Sequence, residues 1–257
     1  LITCDISGYG ASGPFAKMKA YDFLVQAEVG LAQITGAPEE PGRVGVSICD
    51  IAAGMTAHAA ILQALVAKGR TGQGRAIEVS LFHALADWMN VPYLQHHYGG
   101  RKIHRPGLHH PTIAPYGAYL CGDDRMLLIS IQNEREWVRL CTELLDAPNM
   151  PSNPKFDSNV SRVKNRIELN TIINGVFKKY SIDEVAQKLQ TAQIAFGRLN
   201  DMDAFGQHPQ NRFVAVRTSG GDVQLLSPGA VVNGVLPQLG DVPDLGQHSA
   251  NIRREFN

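Results

Sequence analysis

The stretch RVGVSICDIAAGMTAHAAILQALVAKGRTGQG, Arg43 to Gly74, holds one carboxylate between two patterns of different period. Val44, Val46 and Ile48 alternate with smaller residues, which predicts a short half-buried strand. After Asp50 the apolar residues Ile51, Met55, Ile61, Leu62, Leu65 and Val66, with His58 among them, recur at three- and four-residue steps. That spacing predicts a helix from Ile51 to about Lys68, stopped by Gly69 and a basic last turn. Asp50 is therefore expected at or beside the N-cap, where a carboxylate accepts backbone N–H groups and meets the positive end of the helix dipole. Most helix-opening Asp residues are caps and nothing more. Here Ile51-Ala52-Ala53-Gly54 leaves the first turn almost bare of polar side chains, and a mid-helix Gly costs about 1 kcal/mol relative to Ala. A bare turn with a glycine suits close approach of another molecule.

Composition bounds the remaining choices. The chain has 257 residues, enough for one large domain or two modest ones. Lys plus Arg number 24 and Asp plus Glu 24, so the zero net charge points to neither a nucleic acid nor a membrane surface as partner. No run of 18 apolar residues occurs. Cys4, Cys49, Cys121 and Cys141 form no CxxC, which reads as reduced thiols in a cytoplasmic protein, and Cys49 as a buried strand-end residue.

Outward from the opening stretch, Leu1 to Ser7 reads as a strand, and Gly8 to Gly13 then spells GxGxxG. A dinucleotide fingerprint needs a helix directly after the glycines and an acidic residue about 20 positions on at a strand end. Pro14 follows instead, and Glu28 lies in a helical pattern, so a loop carrying Gly8 and Gly10 along a ligand pocket is the better reading. A helix is expected from Phe23 to Thr35, a strand from Ala76 to Val79, and a helix capped by Ser80 that runs to Tyr98 with a break near Pro92. His96, His97, His104, His109 and His110 crowd one loop with Arg101, Lys102 and Arg105. No carboxylate joins them and no helical HxxxH occurs, so a positive collar for an anionic group is preferred to a metal site.

Tyr116–Cys121 and Met126–Ile131 read as a hairpin, Asn133 as the cap of a helix to Leu145, and Val163–Tyr180 as a long helix. Ser181 to Glu184 is a capping box, and Phe213–Arg217 with Val223–Leu226 makes a second hairpin. The fold class is α/β: a parallel-sheet large domain over 1–115, a smaller α+β domain with antiparallel hairpins over 116–233, and a tail over 234–257 that returns to the large domain or to a partner subunit.

ISGYGASGP (Ile6 to Pro14), AYDFLVQAEVGLAQITG (Ala20 to Gly36), RVGVSICDIAAG (Arg43 to Gly54), KGRTGQGRAIEVSLF (Lys68 to Phe82), HPTIAPYG (His110 to Gly117) and LGQHS (Leu245 to Ser249) follow one another in a family order. In these motifs the chain resembles the class III CoA-transferases, the CaiB/BaiF family that includes formyl-CoA transferase and the α-methylacyl-CoA racemases. The resemblance implies that Asp50 is the catalytic nucleophile, that Lys19 and Tyr21 lie at the CoA site, and that the large domain is part of a Rossmann-like half whose N-terminal part this chain lacks. It implies an interlocked homodimer, acyl-CoA and a small carboxylic acid as substrates, and no metal or redox cofactor. Gly8, Gly10, Arg105, His109 and His110 complete the expected substrate and CoA contacts. Family members carry a glycine-rich lid where this chain reads PGLHHPTIAPYG.

The resemblance leaves three readings. Transfer of CoA between small acids, with succinate, mesaconate, itaconate or citramalate as the kind expected, is the first. The racemase branch carries a His where Tyr21 stands, and a phenol of pKa about 10 is a poorer base than imidazole at about 6.5. A catalytically silent CoA-binding subunit is the third, and the intact Asp50 argues against it.

Overall fold

The structure, a computed structural model, describes residues 1–256. The fold is mixed α/β, and the chain falls into two compact units, Leu1–Arg198 and the chain from Leu199 onward. The first unit opens with β1 (Thr3–Ser7), α1 (Asp22–Glu28), α2 (Leu31–Ile34), α3 (Ile48–Thr71), β2 (Ala76–Ser80), α4 (Leu81–Trp88) and α5 (Asn90–His97). Strand β1 pairs parallel with β2 in the register Thr3 to Ala76 through Ser7 to Ser80. This α/β crossover leaves α3 lying on the sheet and against α1 and α4.

Helix α3 differs from the expected one at both ends. Val44 to Ser47 form no strand; Ile48 is already helical, so Asp50 is the third helical residue rather than the cap. At the other end Gly69 stays inside the helix, which runs on to Thr71 and stops at Gly72. Gly72 has φ 71°, a left-handed conformation, and its N–H bonds the Lys68 carbonyl at 2.8 Å. The inner face also differs. The buried residues are Cys49, Ala52, Ala53, Ala57 and Ala64, whereas Ile51, Met55, Leu62, Leu65 and Val66 are exposed, as is His58. Small side chains let the helix axis approach the sheet and α4, where Ala52, Ala53 and Ala57 meet Val79 and Ala84. By length and composition α3 is the one helix among the described residues long and apolar enough to cross a membrane, yet its small-residue face is packed in the unit.

The same unit continues with β3 (Tyr116–Leu120), β4 (Met126–Ser130), α6 (Glu134–Arg139), α7 (Asn159–Lys164), α8 (Arg166–Phe177), α9 (Ile182–Thr191) and β5 (Ala195–Arg198). Strands β3, β4 and β5 form an antiparallel sheet in that order, and sequence reading missed β5, a four-residue edge strand. Asn133 caps α6, Ser158 caps α7, and Ser181 with Glu184 makes the capping box of α9. Tyr119, Leu127, Ile129, Trp137, Leu169, Ile173, Phe177 and Leu189 fill a core separate from that around α3. Each such side chain contributes about 1.5–3 kcal/mol by burial.

The second unit contains α10 (Met202–Gly206), β6 (Phe213–Thr218), β7 (Gly221–Leu226) and α11 (Ser249–Phe256). Among the described residues β6 and β7 pair only with each other, so the second hairpin forms a sheet of its own within the second unit.

Arg162 locks the second core. It is 2% exposed, its guanidinium meets both Glu134 oxygens at 2.8 Å, and it also donates to the Ala114 carbonyl at 2.7 Å and the Phe156 carbonyl at 3.2 Å. The Trp137 ring lies 5.0 Å from it. The Arg162 hydrogen bonds hold the Glu134 carboxyl below its usual range. Because Glu134 is half exposed, solvent screens part of this gain. Arg162→Ala is expected to cost about 2–5 kcal/mol, since it strands two buried carbonyls at about 1–3 kcal/mol each. The Glu134 contribution is present above the ordinary carboxylate pKa and is lost as pH falls through its lowered one. Urea midpoints measured against pH should therefore drop on the acid side in the native protein, with that part of the drop absent from Arg162→Ala.

Candidate active site around Asp50

Asp50 stands in the first turn of α3 with its side chain exposed and, among the described residues, with neither a hydrogen-bond nor an ion-pair partner. Gly54, one turn on along the same face, would meet no atom if it carried a Cβ. The surface beside the carboxylate is open, as the bare sequence of the turn implied.

Ser47, the N-cap, makes no side-chain cap bond. Asp22 takes that place from another helix. Its Oδ1 accepts the Cys49 N–H at 2.9 Å, its Oδ2 accepts from Gln26 Nε2 at 2.9 Å, and Arg43 approaches at 3.7 Å. The Cys49 thiol donates to the Asp22 carbonyl at 3.3 Å. Tyr21 directly precedes Asp22, so these contacts set its backbone beside the start of α3, with Lys19 two residues further back along the chain. Lys19 is exposed and Tyr21 is 69% exposed, so both are open to solvent. The sequence gives Asp22 no visible role. Its partner lies 27 residues away, and no local pattern marks such a bond.

The Gly8–Gly10 loop belongs to the same neighbourhood. A Cβ on Gly8 would collide with the Ala20 side chain, so glycine lets the loop lie on the residue between Lys19 and Tyr21. The Gly8 carbonyl accepts the Phe82 N–H at 3.0 Å, and Gly10, with φ 100°, donates to Ser7 Oγ at 3.0 Å. Tyr9 is buried between Phe15 and Phe82. No helix opens before Asp22, so the GxGxxG stretch lacks the geometry of a dinucleotide site.

Arg105, His109 and His110 make their contacts with other segments. Arg105 donates to the carbonyls of Gln33, Ala37 and Pro38 at 2.8 to 3.1 Å and so clips one loop to another. The His110 ring stacks on Tyr116 and its carbonyl accepts from Arg166 at 2.7 Å, while His109 packs against Tyr119 and Gly117. Burial, and then the Arg166 charge, push both imidazoles below their usual pKa. The lowered pKa weakens the part of both in the expected positive collar. His96 donates from Nδ1 to the Arg101 carbonyl at 2.9 Å, and His97 stacks on Tyr93. Among the described residues no three His, Cys, Asp or Glu side chains are grouped to hold a metal.

Two cavities flank α4. One of about 290 Å³ is lined by Gly10, Ser12, Thr56, Ser80, His83 and Asp87. The other, of about 580 Å³ and mostly apolar, is lined by Val29, Ile34, Phe82, Met89, Tyr93 and Ile103. Asp50 lines neither; its carboxylate is on the open surface.

A free carboxylate in the first turn of a helix, on an α/β unit, is a group that can attack a carbonyl carbon. Comparison with known proteins supplies the class. Residues 1–249 match the model of CoA-transferase family III, and the chain belongs to that family. It is 33% identical over its whole length to an acyl-CoA transferase of Fusarium pseudograminearum, covering 58% of that protein. It is 29% identical over 99% of its length to the human succinyl-CoA:glutarate CoA-transferase, covering 59% of it. A CaiB/BaiF family protein from Brucella suis has the same fold, with a TM-score of 0.82, 29% identity, and coverage of 100% of this chain and 68% of that one. The chain thus spans a little under three fifths of these two curated relatives.

Cys49, the residue before Asp50, carries a thiol. Burial first, then the Asp22 and Asp50 charges, push its thiol up to about 12. Native protein treated with iodoacetamide at pH 8 is expected to be alkylated at half-buried Cys4 before Cys49, Cys121 or Cys141. Peptide mapping that found Cys49 modified first would contradict its buried, protonated placement.

Proposed function

We propose that the protein transfers CoA between small carboxylic acids through covalent intermediates on Asp50. The exposed, unpartnered Asp50 carboxylate in the first turn of α3 is the observation that carries this reading. Asp50 attacks the thioester carbonyl of the donor, giving an acyl-aspartyl anhydride and CoA thiolate. The thiolate attacks the aspartyl carbonyl, the donor acid leaves with one Asp50 oxygen, and an aspartyl-CoA thioester remains. The acceptor carboxylate then runs the same two steps in reverse. Each step develops negative charge at a carbonyl oxygen, and the positive end of α3 favours it. The sequence needs no metal and no redox cofactor; CoA enters and leaves as part of the substrates.

Small dicarboxylates are the substrate class. The name of the human relative, with succinyl-CoA and glutarate, supports this, as does the exposed Lys19 beside Tyr21. A racemase would need a second proton-transfer group at Tyr21, whose exposed phenol is poorly suited to that role. Four free cysteines suit a reducing, cytoplasmic setting. The protein works as an interlocked homodimer, and the exposed apolar stripe Ile51, Met55, Leu62, Leu65 and Val66 supports a partner surface along α3.

With succinyl-CoA and glutarate as probes, hydroxylamine added during turnover is expected to leave a hydroxamate on Asp50. Asp50→Ala should abolish transfer with little loss of stability, because its carboxylate caps nothing. Full transfer by folded Asp50→Ala, or the adduct on another residue, would refute the mechanism. Sedimentation should give a dimer at micromolar concentration; a stable monomer would refute the assembly.

A further inference from the structure

The bonds that fasten the start of α3 form a directed chain. The Val44 N–H donates to Gln26 Oε1 at 2.9 Å, Gln26 Nε2 donates to Asp22 Oδ2 at 2.9 Å, and the Cys49 N–H donates to Asp22 Oδ1 at 2.9 Å. Its two ends are backbone amides, which can only donate. Gln26 must therefore turn its oxygen to Val44 and its nitrogen to Asp22, and both Asp22 oxygens must accept. One amide and one carboxylate are required between the two backbone groups. Two amides leave two donors facing each other, and two carboxylates leave two acceptors.

The network is closed to water, since Gln26 is fully buried and Asp22 is 8% exposed. A mismatch there is not relieved by solvent. Its two backbone anchors, Val44 and Cys49, bracket the segment that leads into Asp50. The carboxylate that the chemistry uses is thus held at a fixed height on its helix by a carboxylate that the chemistry does not touch.

We infer that Asp22 and Gln26 are positioning residues for Asp50, acting by clamping the chain on both sides of the α3 start. The inference rests on Asp50 being the reacting group, as proposed above. Asp22 acts through the backbone and meets no substrate atom. Its exchange for another hydrogen-bonding pattern of equal geometry should consequently be tolerated, provided the donors and acceptors still match.

The test is a charge relocation. Asp22→Asn sets an amide against the Gln26 amide, and Gln26→Glu sets a carboxylate against the Asp22 carboxylate. The double variant Asp22→Asn with Gln26→Glu restores the three short bonds, Val44 to Glu, Asn to Glu, and Cys49 to Asn, and gives up only the long contacts of Gln26 with the Val44 carbonyl at 3.5 Å and of Arg43 with Asp22 at 3.7 Å. Two readouts apply to all four proteins: the rate of Asp50 hydroxamate formation from succinyl-CoA, and amide hydrogen exchange at Cys49, Asp50 and Ile51. Each single variant is expected to trap Asp50 at least about tenfold more slowly and to exchange these amides at least about tenfold faster. The double variant should recover both, to within about threefold of the native protein. Exchange that is the same in all four proteins would overturn the clamp. Restored exchange without restored trapping would mean that Asp22 itself meets the substrate, and would overturn its positioning role. If the singles fail to fold, a double variant that also fails overturns the inference, and one that folds and traps supports it. If the native protein forms no hydroxamate, the reading of Asp50 as nucleophile fails, and the exchange pattern alone still decides whether the clamp exists.

Discussion

The bond from the Cys49 amide to the Asp22 carboxylate is the constraint on which the arrangement around Asp50 depends. Helix α3 has 24 residues and an N-cap, Ser47, that makes no cap bond of its own. Without a borrowed acceptor its first turn would carry a buried, unpaired N–H. Asp22 supplies that acceptor from α1 and so fixes which way the turn faces. Cys49 points inward and is buried, and Asp50, the next residue, is on the exposed side. The same bond sets Tyr21, the residue before Asp22, beside the start of the helix.

Helix α3 also explains how a long apolar helix serves an α/β unit. Its inner face is built of Cys and Ala, which lets it lie close to β1–β2 and α4. Its large side chains form a second apolar face pointing away from that core. Close packing contributes through many short contacts rather than through large side chains. A helix with two apolar faces has work on both sides, and the outer one is where a second subunit is proposed to lie.

Much of this was legible in the sequence, for physical reasons that differ by element. The caps at Ser80, Asn133 and Ser181 act within three residues of themselves, so their motifs are local and read correctly. The hairpin β3–β4 announced itself by alternation on both sides of a short turn. The strand expected over Val44–Ile48 failed because alternation alone does not make a strand: no neighbouring strand pairs with it, and Val44 bonds a glutamine side chain instead. The helix between Phe23 and Thr35 broke at Gly30, which has φ 81°. The core face of α3 was hidden because periodicity in large residues marked the outer face.

For the site, the Asp22–Cys49 bond ties the residue after Tyr21 to the residue before Asp50, and Gly8 lies against Ala20. Arg105 and the His109–His110 pair did not join them in any bond: one clips a loop, and the others pack against β3 and α8. Charge density in a sequence says little about where side chains point, since Arg105 is drawn to carbonyls and burial disfavours the charged form of the two imidazoles. Asp22 was invisible because its bond joins residues far apart in the chain. The central claim, that Asp50 exchanges an oxygen with each acid it handles, has a direct test. Glutarate carrying heavy oxygen in its carboxylates is supplied with unlabelled succinyl-CoA, and the Asp50 peptide is weighed after turnover. The mechanism predicts that heavy oxygen enters the Asp50 carboxylate, with one oxygen delivered by each acceptor molecule converted. Transfer of CoA that leaves Asp50 unlabelled would contradict it.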